Sequence, residues 1–479
     1  MLIVVTIICY FLVLTLFSHW ATGKHSNNDA FYRGSRRSPW YMVAFGMVGA
    51  SISGVTFVSV PGMVNSIGMT YMQTCLGFVV GYALVAFVLL PIYYKYNLTT
   101  IYSFLEQRLG NDGHKVGASF FILSKMLGAA VRFYVLCVIL QRFVLDALGV
   151  PFVATVVCMV LVIWLYTRRG GIKTLVWTDT FQTACMFVAL LLIIYKVLGA
   201  LEMNLTEAVG AIVADERSQW FVFGDLVSKQ YFWKQFLSGI FIVIVMTGLD
   251  QDMMQKNLTC KTLRDAQKDM CSYGLAFVPA NLLFLCLGVL LSLLCQRQGC
   301  PLPDSGDELL PMFAASGRLG ETVVVLFTIG IVAASFSSAD SALTSMTTSY
   351  CVDLCGSADD ETLRKRAHVM LSVVFGLVIM AVHAVGSNSV IDAIYTICSY
   401  TYGPLLGLFV YAYFRKNDEN SPPGRLVWAV CIMSPIVCFA LDALTNSLWN
   451  YHFGYELLMV NGAITCLGLI MNRLYRNNT

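Results

Sequence analysis

The chain has 479 residues, of which 57% are hydrophobic and only 12% are charged. Soluble domains carry about 25% charged residues, so these side chains cannot cover a large water-exposed surface, and an ordinary soluble protein is excluded. The net charge of +3 is too small to indicate nucleic-acid binding. With a mean hydropathy of +0.70, the chain is predicted to have the lipid bilayer as its main solvent.

Apolar stretches of about 20 residues, each long enough to cross the hydrocarbon core of a bilayer, recur along the whole chain. We predict an all-α polytopic protein with about thirteen membrane-spanning helices. They fall near residues 1–20, 40–63, 72–94, 116–147, 151–167, 174–199, 231–252, 272–295, 320–350, 367–385, 389–413, 425–443 and 453–472. No Lys or Arg precedes the first stretch, which favours a retained helix over a secretory signal peptide, whose first region is basic.

Lys and Arg are unevenly distributed between alternate loops. If the N-terminus is outside, the inside loops hold 22 basic residues and the outside loops hold 5. Because basic residues accumulate in cytoplasmic loops, we expect an N-terminus outside and a C-terminus in the cytoplasm. The loops are too short for a separate catalytic domain, so an enzyme is not predicted. The short loops also favour a plasma-membrane location, namely the inner membrane of a bacterium. Cys295 and Cys300 flank an outside loop, and the sequence leaves open whether they pair.

Two of the predicted helices are interrupted. The second, 231–252, is broken near Gly248, just before Asp250. Interrupted helices at corresponding positions of two halves indicate a transporter binding site, and the odd number of spans between them gives the halves opposite topology. The alternative is close helix packing at small residues. The first interrupted helix, 40–63, contains Gly46, Gly49, Gly54, Pro61 and Gly62.

One predicted helix carries far more hydroxyl groups than helix packing requires. Hydroxyl side chains can bond to the preceding turn, so each alone costs little, but their density here suggests a site for a hard cation such as sodium. A face of small residues for packing is the alternative. The polar residues are Ser335, Ser337, Ser338, Asp340, Ser341, Thr344, Ser345, Thr347, Thr348 and Ser349.

Two charged residues within the predicted spans are candidates for function, because an ionisable side chain in a membrane is costly. Asp179 lies near the inner end of its helix, where it is either functional or an interfacial acid in contact with water. Arg132 lies midway along 116–147, too deep to reach the surface easily. A guanidinium there suits a carboxylate, which belongs either to a solute or to an internal acid such as Asp250.

Four motifs in order resemble the sodium:solute symporter family over nearly the whole chain. The run Ala334–Ser341, with Cys351–Asp353, resembles the eighth core helix of that family. Leu90–Ile92, Thr100–Ile101 and Phe104–Arg108 resemble the end of its second helix. Gly170–Gly171 with Trp177–Asp179 and Gln182 resembles its fifth helix, and Asp250–Gln251 with Gln255–Leu258 resembles its sixth.

The resemblance implies the inverted-repeat fold of the leucine transporter, with five plus five core helices in a single chain that is the transport unit. Residues 1–39 would be an extra helix and a linker, 40–199 the first repeat, 200–230 an extracytoplasmic loop, 231–413 the second repeat and 414–479 two further helices. The resemblance also implies sodium coupling, with ligands from the carbonyls of Gly49, Ile52 and Ala334 and the hydroxyls of Ser337 and Ser338.

A second ion would use Asp179, Asp340 and Ser341 by the same resemblance. Asp340 stands where some members have serine or alanine, which leaves a second sodium ion or a proton open. The position of a sugar-binding acid in galactose transporters of the family corresponds here to Cys75, which argues against that sugar mode.

Arg132 falls at the third-helix arginine of the sialic-acid branch, so we expect a small anionic or zwitterionic organic solute. The function predicted is symport of this solute with Na⁺ by alternating access, and a proton-coupled carrier, a sensor without transport and a channel are the alternatives. The residues expected to contact the solute are Ser51, Ser53, Thr56, Gln73, Arg132 and Asp250.

Overall fold

The computed structural model describes residues 2–22, 28–385, 390–415, 422 and 424–477. Over these ranges the chain is helical and has no β-strand. Lys24 and Lys416, two of the basic residues counted above for orientation, lie outside them. The α-helices of the described residues are α1 (Leu2–Thr22), α2 (Asn28–Arg33), α3 (Trp40–Ser51), α4 (Gly54–Ile67), α5 (Tyr71–Leu84), α6 (Leu90–Lys95), α7 (Ser103–Leu140), α8 (Phe152–Leu201), α9 (Leu205–Ala214), α10 (Phe232–Val243), α11 (Gln251–Asn257), α12 (Leu263–Gln298), α13 (Leu309–Ala314), α14 (Glu321–Ser349), α15 (Glu361–Val385), α16 (Val390–Thr401), α17 (Gly403–Phe414), α18 (Gly424–Trp449) and α19 (Leu457–Asn477).

The predicted spans coincide with single helices or with pairs of helices, which confirms the all-α polytopic fold. α8 contains two of them, because Gly171 adopts a left-handed φ of 52° and interrupts the helix. Shorter apolar helices include the halves of interrupted spans. Within the described residues, seven stretches are long and apolar enough to cross a membrane by themselves: Gly54–Lys95, Ser103–Leu140, Gly171–Leu201, Leu263–Gln298, Glu321–Leu354, Glu361–Ala384 and Gly424–Trp449.

Both predicted interruptions are present. α3 ends at Ser51 and α4 begins at Gly54, so Ile52 and Ser53 separate them. Pro61 lies inside α4 and does not cause the break. In the second half, a π-helical turn extends α10 to Gly248, and α11 then departs at an angle of 69°. Each break leaves helix ends inside the protein, where their free carbonyl and amide groups need polar partners.

α14 is the helix around which the others are arranged. It packs against α1, α3, α4, α7, α8 and α15, and every residue from Gly330 to Ser349 is buried. Its hydroxyl groups therefore face other helices and not lipid. The first helix belongs to the same packing, since the rings of Phe11 and Phe336 are 4.6 Å apart.

Large hydrophobic side chains cover the outer face of the bundle. Leu377 of α15 and Phe439 of α18 are 65% and 67% exposed, as expected for side chains whose solvent is lipid. Cys295 and Cys300 are both free thiols.

Candidate functional site

The break between α3 and α4 lies directly against the hydroxyl-rich helix. The hydroxyl of Ser338 donates to the carbonyl of Ala50 over 2.9 Å and to that of Ala334 over 3.3 Å. The amide of Ser53 bonds to Ser51 and not to Gly49, four residues earlier. The break therefore directs carbonyl oxygens of α3 towards serine oxygens of α14, and such hard oxygen ligands are the kind that Na⁺ prefers.

Glycine permits this close approach. A Cβ at Gly49 would lie 1.8 Å from the hydroxyl oxygen of Thr183 in α8, and a Cβ at Gly54 would lie 2.0 Å from that of Ser335 in α14. The backbone next to Ile52, which is fully buried, is thus held against both helices. Of the five ligands inferred for the first sodium ion, Gly49 and Ile52 lie at the break of the interrupted helix, and Ser338 and Ala334 of α14 share a hydrogen bond beside it. The fifth, Ser337, bonds instead to Asp179.

The second set of candidate ion ligands forms a polar cluster one turn further along. Ser337 donates to Asp179 Oδ1 over 2.7 Å, and the hydroxyl of Ser341 lies 3.5 Å from Asp179 Oδ2 and 3.3 Å from Asp340 Oδ1. Tyr166 donates to Asp340. Both acids are fully buried, so Asp179 is not an interfacial acid in contact with water.

Lys256 pairs with this cluster, which the sequence did not predict. Its ammonium nitrogen lies 2.8 Å from Asp179 Oδ2 and 4.0 Å from Asp252 Oδ1, and the side chain is 2% exposed. The orientation count placed Lys256 in an inside loop, which is wrong, because α11 carries it into the core. The cation supplies charge that the buried carboxylate needs.

A cavity of about 100 Å³ lies beside the two interrupted helices. Five of the six residues expected to contact the solute line it, together with aromatic residues that include Tyr71, Tyr273 and Tyr395. The five are Ser51, Ser53, Thr56, Arg132 and Asp250.

Gln73 lies elsewhere. Its amide nitrogen donates to the carbonyl of Gln230 over 2.9 Å, and its oxygen accepts from the amide of Val222 over 3.1 Å. Both groups belong to the loop 200–230, so the fully buried Gln73 anchors this loop on α5 and does not line the cavity.

The two partners considered for Arg132 are distinguished by geometry. Asp250 accepts hydrogen bonds from Lys125, over 3.1 Å and 3.3 Å, and from Tyr402 over 2.6 Å. Arg132 makes no hydrogen bond or ion pair to another residue of the described chain. The guanidinium, half-buried in the wall of the cavity, is therefore available to a ligand.

Lys125 is a second basic residue of the cavity, and it also pairs with Asp252 over 2.7 Å. It lies seven residues before Arg132 on α7, so a helical period places both on one face. This spacing was the available sequence signal, because both cations interrupt the same apolar stretch.

The buried ionisable groups around Asp179 and Asp250 form a cluster with an excess of negative charge. Two lysines face four acids, so the cluster has a formal charge of −2 when all are ionised; its members are Lys125, Lys256, Asp179, Asp250, Asp252 and Asp340. An uncompensated charge in a low-dielectric interior is costly, so the cluster attracts cations. Arg132 gives the solute cavity the opposite preference.

The sequence model described as "Sodium:solute symporter family" matches residues 31–421. The chain belongs to this family. The predicted family and its activity class, a transporter and not an enzyme, are therefore confirmed. A single chain supplies both the candidate ion ligands and the candidate solute cavity, in agreement with a monomeric transport unit.

Curated relatives and a solved structure agree with the assignment. This symporter is 24% identical to the human sodium/iodide cotransporter over 85% of its own length, but it spans only 64% of that protein. It is 22% identical to the sodium/sialic acid symporter NanT of Aliivibrio fischeri, covering 95% of this chain and 90% of the relative.

The solved structure of a Na⁺-coupled sialic acid symporter, in a substrate-bound outward-open state, superposes with a TM-score of 0.84. It is 18% identical, and the match covers 98% of this chain and 97% of the other. The likeness confirms the predicted fold, which is shared with transporters of the leucine-transporter type.

Proposed function

We propose that this protein couples the uptake of a small organic anion, or of a zwitterion with a carboxylate, to the entry of Na⁺. The observation that carries the proposal is Arg132, a half-buried guanidinium in the cavity wall that has no acidic partner within the described part of the chain. A planar fork of donors suits a carboxylate. The solutes in the names of the two relatives, iodide and sialic acid, are anions at neutral pH.

The solute would lie in the cavity beside the interrupted helices. Its carboxylate would contact Arg132, and the polar groups of Ser51, Ser53 and Thr56 would contact the rest of the molecule. Lys125 would act indirectly, because its charge is already shared between Asp250 and Asp252. Gln73 is left out of this proposal, since the loop 200–230 uses both of its amide groups.

The Na⁺ ion would bridge α3 and α14. Its ligands would be the carbonyls of Gly49, Ile52 and Ala334 and the hydroxyls of Ser337 and Ser338. The hydrogen bond from Ser338 to the α3 carbonyl of Ala50 supports this assignment, because it spans the interface that the ion would join. Binding there would stabilise the broken helix and with it the solute cavity.

Asp340 supports a second coupled cation. Asp179 has the cation Lys256 as a partner, whereas Asp340 is contacted by Tyr166 and Ser341, which carry no charge. A second Na⁺ or a proton between Asp179, Asp340 and Ser341 would reduce the excess negative charge of the cluster. The second candidate function is therefore a carrier coupled to protons at Asp340.

Electrical measurements separate one coupled cation from two. A monoanion with one cation moves no net charge, whereas a monoanion with two cations moves one charge, which gains about 2.3 kcal/mol from a potential of 100 mV. For a monoanionic solute, we expect a negative-inside potential to stimulate uptake by the wild type and not by the Asp340→Asn variant. Equal stimulation in both proteins would contradict a role of Asp340 in ion coupling.

The function is tested with purified protein in two steps. Thermal unfolding is first measured with carboxylic acids, amino acids and neutral sugars, each with Na⁺ or with K⁺. We expect stabilisation by a carboxylate and more of it in Na⁺. Uptake of that solute into proteoliposomes is then measured with an inward Na⁺ gradient and, separately, in Na⁺-free buffer with an inward proton gradient.

The outcomes distinguish the alternatives. Saturable uptake that requires Na⁺ supports the symporter, uptake driven by protons alone supports the second candidate, and binding without uptake supports a sensor. Uptake that does not saturate indicates a channel. Stabilisation by neutral sugars and not by carboxylates would refute the anion assignment.

We further propose the placement and the division of the chain. The distribution of basic residues supports a position in the plasma membrane, with the N-terminus outside and the C-terminus in the cytoplasm, and the short loops favour a bacterial inner membrane. The broken helix α3–α4 and the bent pair α10–α11 support repeats at 40–199 and 231–413, since each repeat then begins with an interrupted span.

A further inference from the structure

A basic cavity of about 310 Å³ lies away from the transport site, between the end of the first half of α8 and the start of α15. Arg168, Arg364 and Lys365 line it, and the aromatic side chains of Phe31 and Trp164 complete its wall. Among the described residues, the acid that forms ion pairs with these cations is Glu361, which lies 3.1 Å from Arg364 and 3.3 Å from Lys365. Three cations against one acid give the cavity a formal charge of +2.

The unpaired donors of Arg364 are the strongest indication that this cavity binds a ligand. The residue is 3% exposed, and its guanidinium lies over the ring of Phe31 at 4.5 Å. One terminal nitrogen bonds to Glu361, but Nε and Nη1 are buried and have no partner among the described residues. A buried charged donor without an acceptor is costly, so an anionic ligand with oxygen acceptors would satisfy it.

An apolar groove of about 430 Å³ continues from this cavity along the same two helices. Trp164 and Val369 line both spaces. The groove extends along α15 from Val369 to Met380, a rise of about 16 Å for a helix. That length is about half of the ~30 Å hydrocarbon core, the depth of one leaflet.

Small side chains keep the groove open. A Cβ placed on Gly376 would meet only Val160, at 3.9 Å, which is ordinary contact. Val157 and Val373 line the groove and are 60% and 59% exposed. An apolar chain lying there would cover these side chains.

We propose that the basic cavity and the apolar groove together bind one anionic phospholipid. Its phosphate lies against Arg364 and Arg168, its acyl chain follows the groove between α8 and α15, and the ring of Trp164 lies at the junction of the two. Charge complementarity selects an anionic over a zwitterionic headgroup, because the cavity carries a net positive charge. The attached groove selects a lipid over a free phosphate ion.

Native mass spectrometry of the full chain in detergent tests the proposal, with phosphatidylglycerol, phosphatidylcholine and inorganic phosphate as probes. We expect one phosphatidylglycerol per chain to be retained where phosphatidylcholine is lost. Each of Arg168→Gln and Arg364→Gln should weaken retention about fivefold, the effect of one basic residue near an anionic headgroup. Arg366→Gln is the matched control, because this exposed residue on α15 does not line the cavity.

Gly376→Leu tests the groove separately from the charges. The added side chain should fill the apolar space and weaken phosphatidylglycerol binding while the basic cavity stays intact. Equal retention of phosphatidylcholine, an equal loss in Arg366→Gln, or normal binding by Gly376→Leu would each overturn the proposal. Displacement of the lipid by inorganic phosphate would overturn it as well and would indicate a site for free anions.

Discussion

Substitutions that neutralise Lys256 or Asp179 should lower the free energy of unfolding by different amounts. The net charge that each substitution leaves on the buried cluster should determine which one costs more. Lys256→Gln changes the formal charge of the cluster from −2 to −3, whereas Asp179→Asn changes it to −1 and leaves Lys256 near Asp252. Removing one partner of a buried pair costs about 3–5 kcal/mol. We expect Lys256→Gln to reach that range and Asp179→Asn to cost less.

The double variant is the decisive member of the series. It restores the formal charge of −2, so it should be more stable than Lys256→Gln even though it carries one more substitution. The coupling energy of the cycle should be about 3 kcal/mol, most of the cost of an unpaired buried charge. The exposed pair Arg297–Glu202, with side chains 45% and 77% exposed, provides the matched cycle, and its coupling should stay below about 1 kcal/mol.

The assay is unfolding of the purified variants in one detergent, followed by tryptophan fluorescence, with all members of both cycles measured together. A double variant no more stable than Lys256→Gln would refute the reasoning. Equal coupling in the buried and the exposed cycle would refute it too, because burial would then have no effect on the pair.

Three further substitutions test the ion and solute sites and the packing between them. Ser338→Ala should raise the Na⁺ concentration for half-maximal uptake about tenfold or more, because it removes one bond to a charged group. Ser345→Ala loses only a hydrogen bond within α14 and should leave that concentration unchanged. Equal shifts in the two variants would contradict the ligand assignment. Arg132→Gln should raise the KM for an anionic solute about tenfold or more. Arg142→Gln changes an exposed arginine that pairs with Glu308 and should leave the KM unchanged. An unchanged KM in both variants would exclude Arg132 from the solute site. Gly54→Ala should lower the free energy of unfolding by about 1–3 kcal/mol through overpacking, since the new Cβ would lie 2.0 Å from a hydroxyl oxygen of α14; a variant as stable as the wild type would show that the two helices can separate there.

The fold could be predicted from the sequence largely because lipid imposes length and apolarity on each span. The break near Ser53 was visible as a cluster of glycines, although Pro61, which was expected to contribute, lies inside α4. Proline is tolerated there because neighbouring helices can satisfy the carbonyl that it frees. The position of the break within the glycine-rich stretch depends on packing against α8 and α14, which local sequence does not contain.

The candidate site could be predicted only in part. Hydroxyl density indicated the candidate ion ligands of α14, and the depth of Arg132 in its helix indicated a residue that lines the candidate solute cavity. Lys256 was assigned to a loop because the predicted span ends at residue 252, and the path of the chain beyond that point depends on tertiary contacts. Gln73 was expected to contact the solute, but it bonds to the loop 200–230, a contact between distant parts of the sequence that local patterns do not reveal.

The short helix α11 links the two binding regions. All seven of its residues, Gln251–Asn257, are buried, with Asp250 at its N-terminus held by Lys125 near the solute cavity and Lys256 near its other end held by Asp179 near the ion ligands. Because both ion pairs are made from this one segment or its cap, a rotation of α11 would disturb both at once. Binding of the solute and binding of the cation would then both act on the orientation of α11, which offers a physical basis for coupling between them.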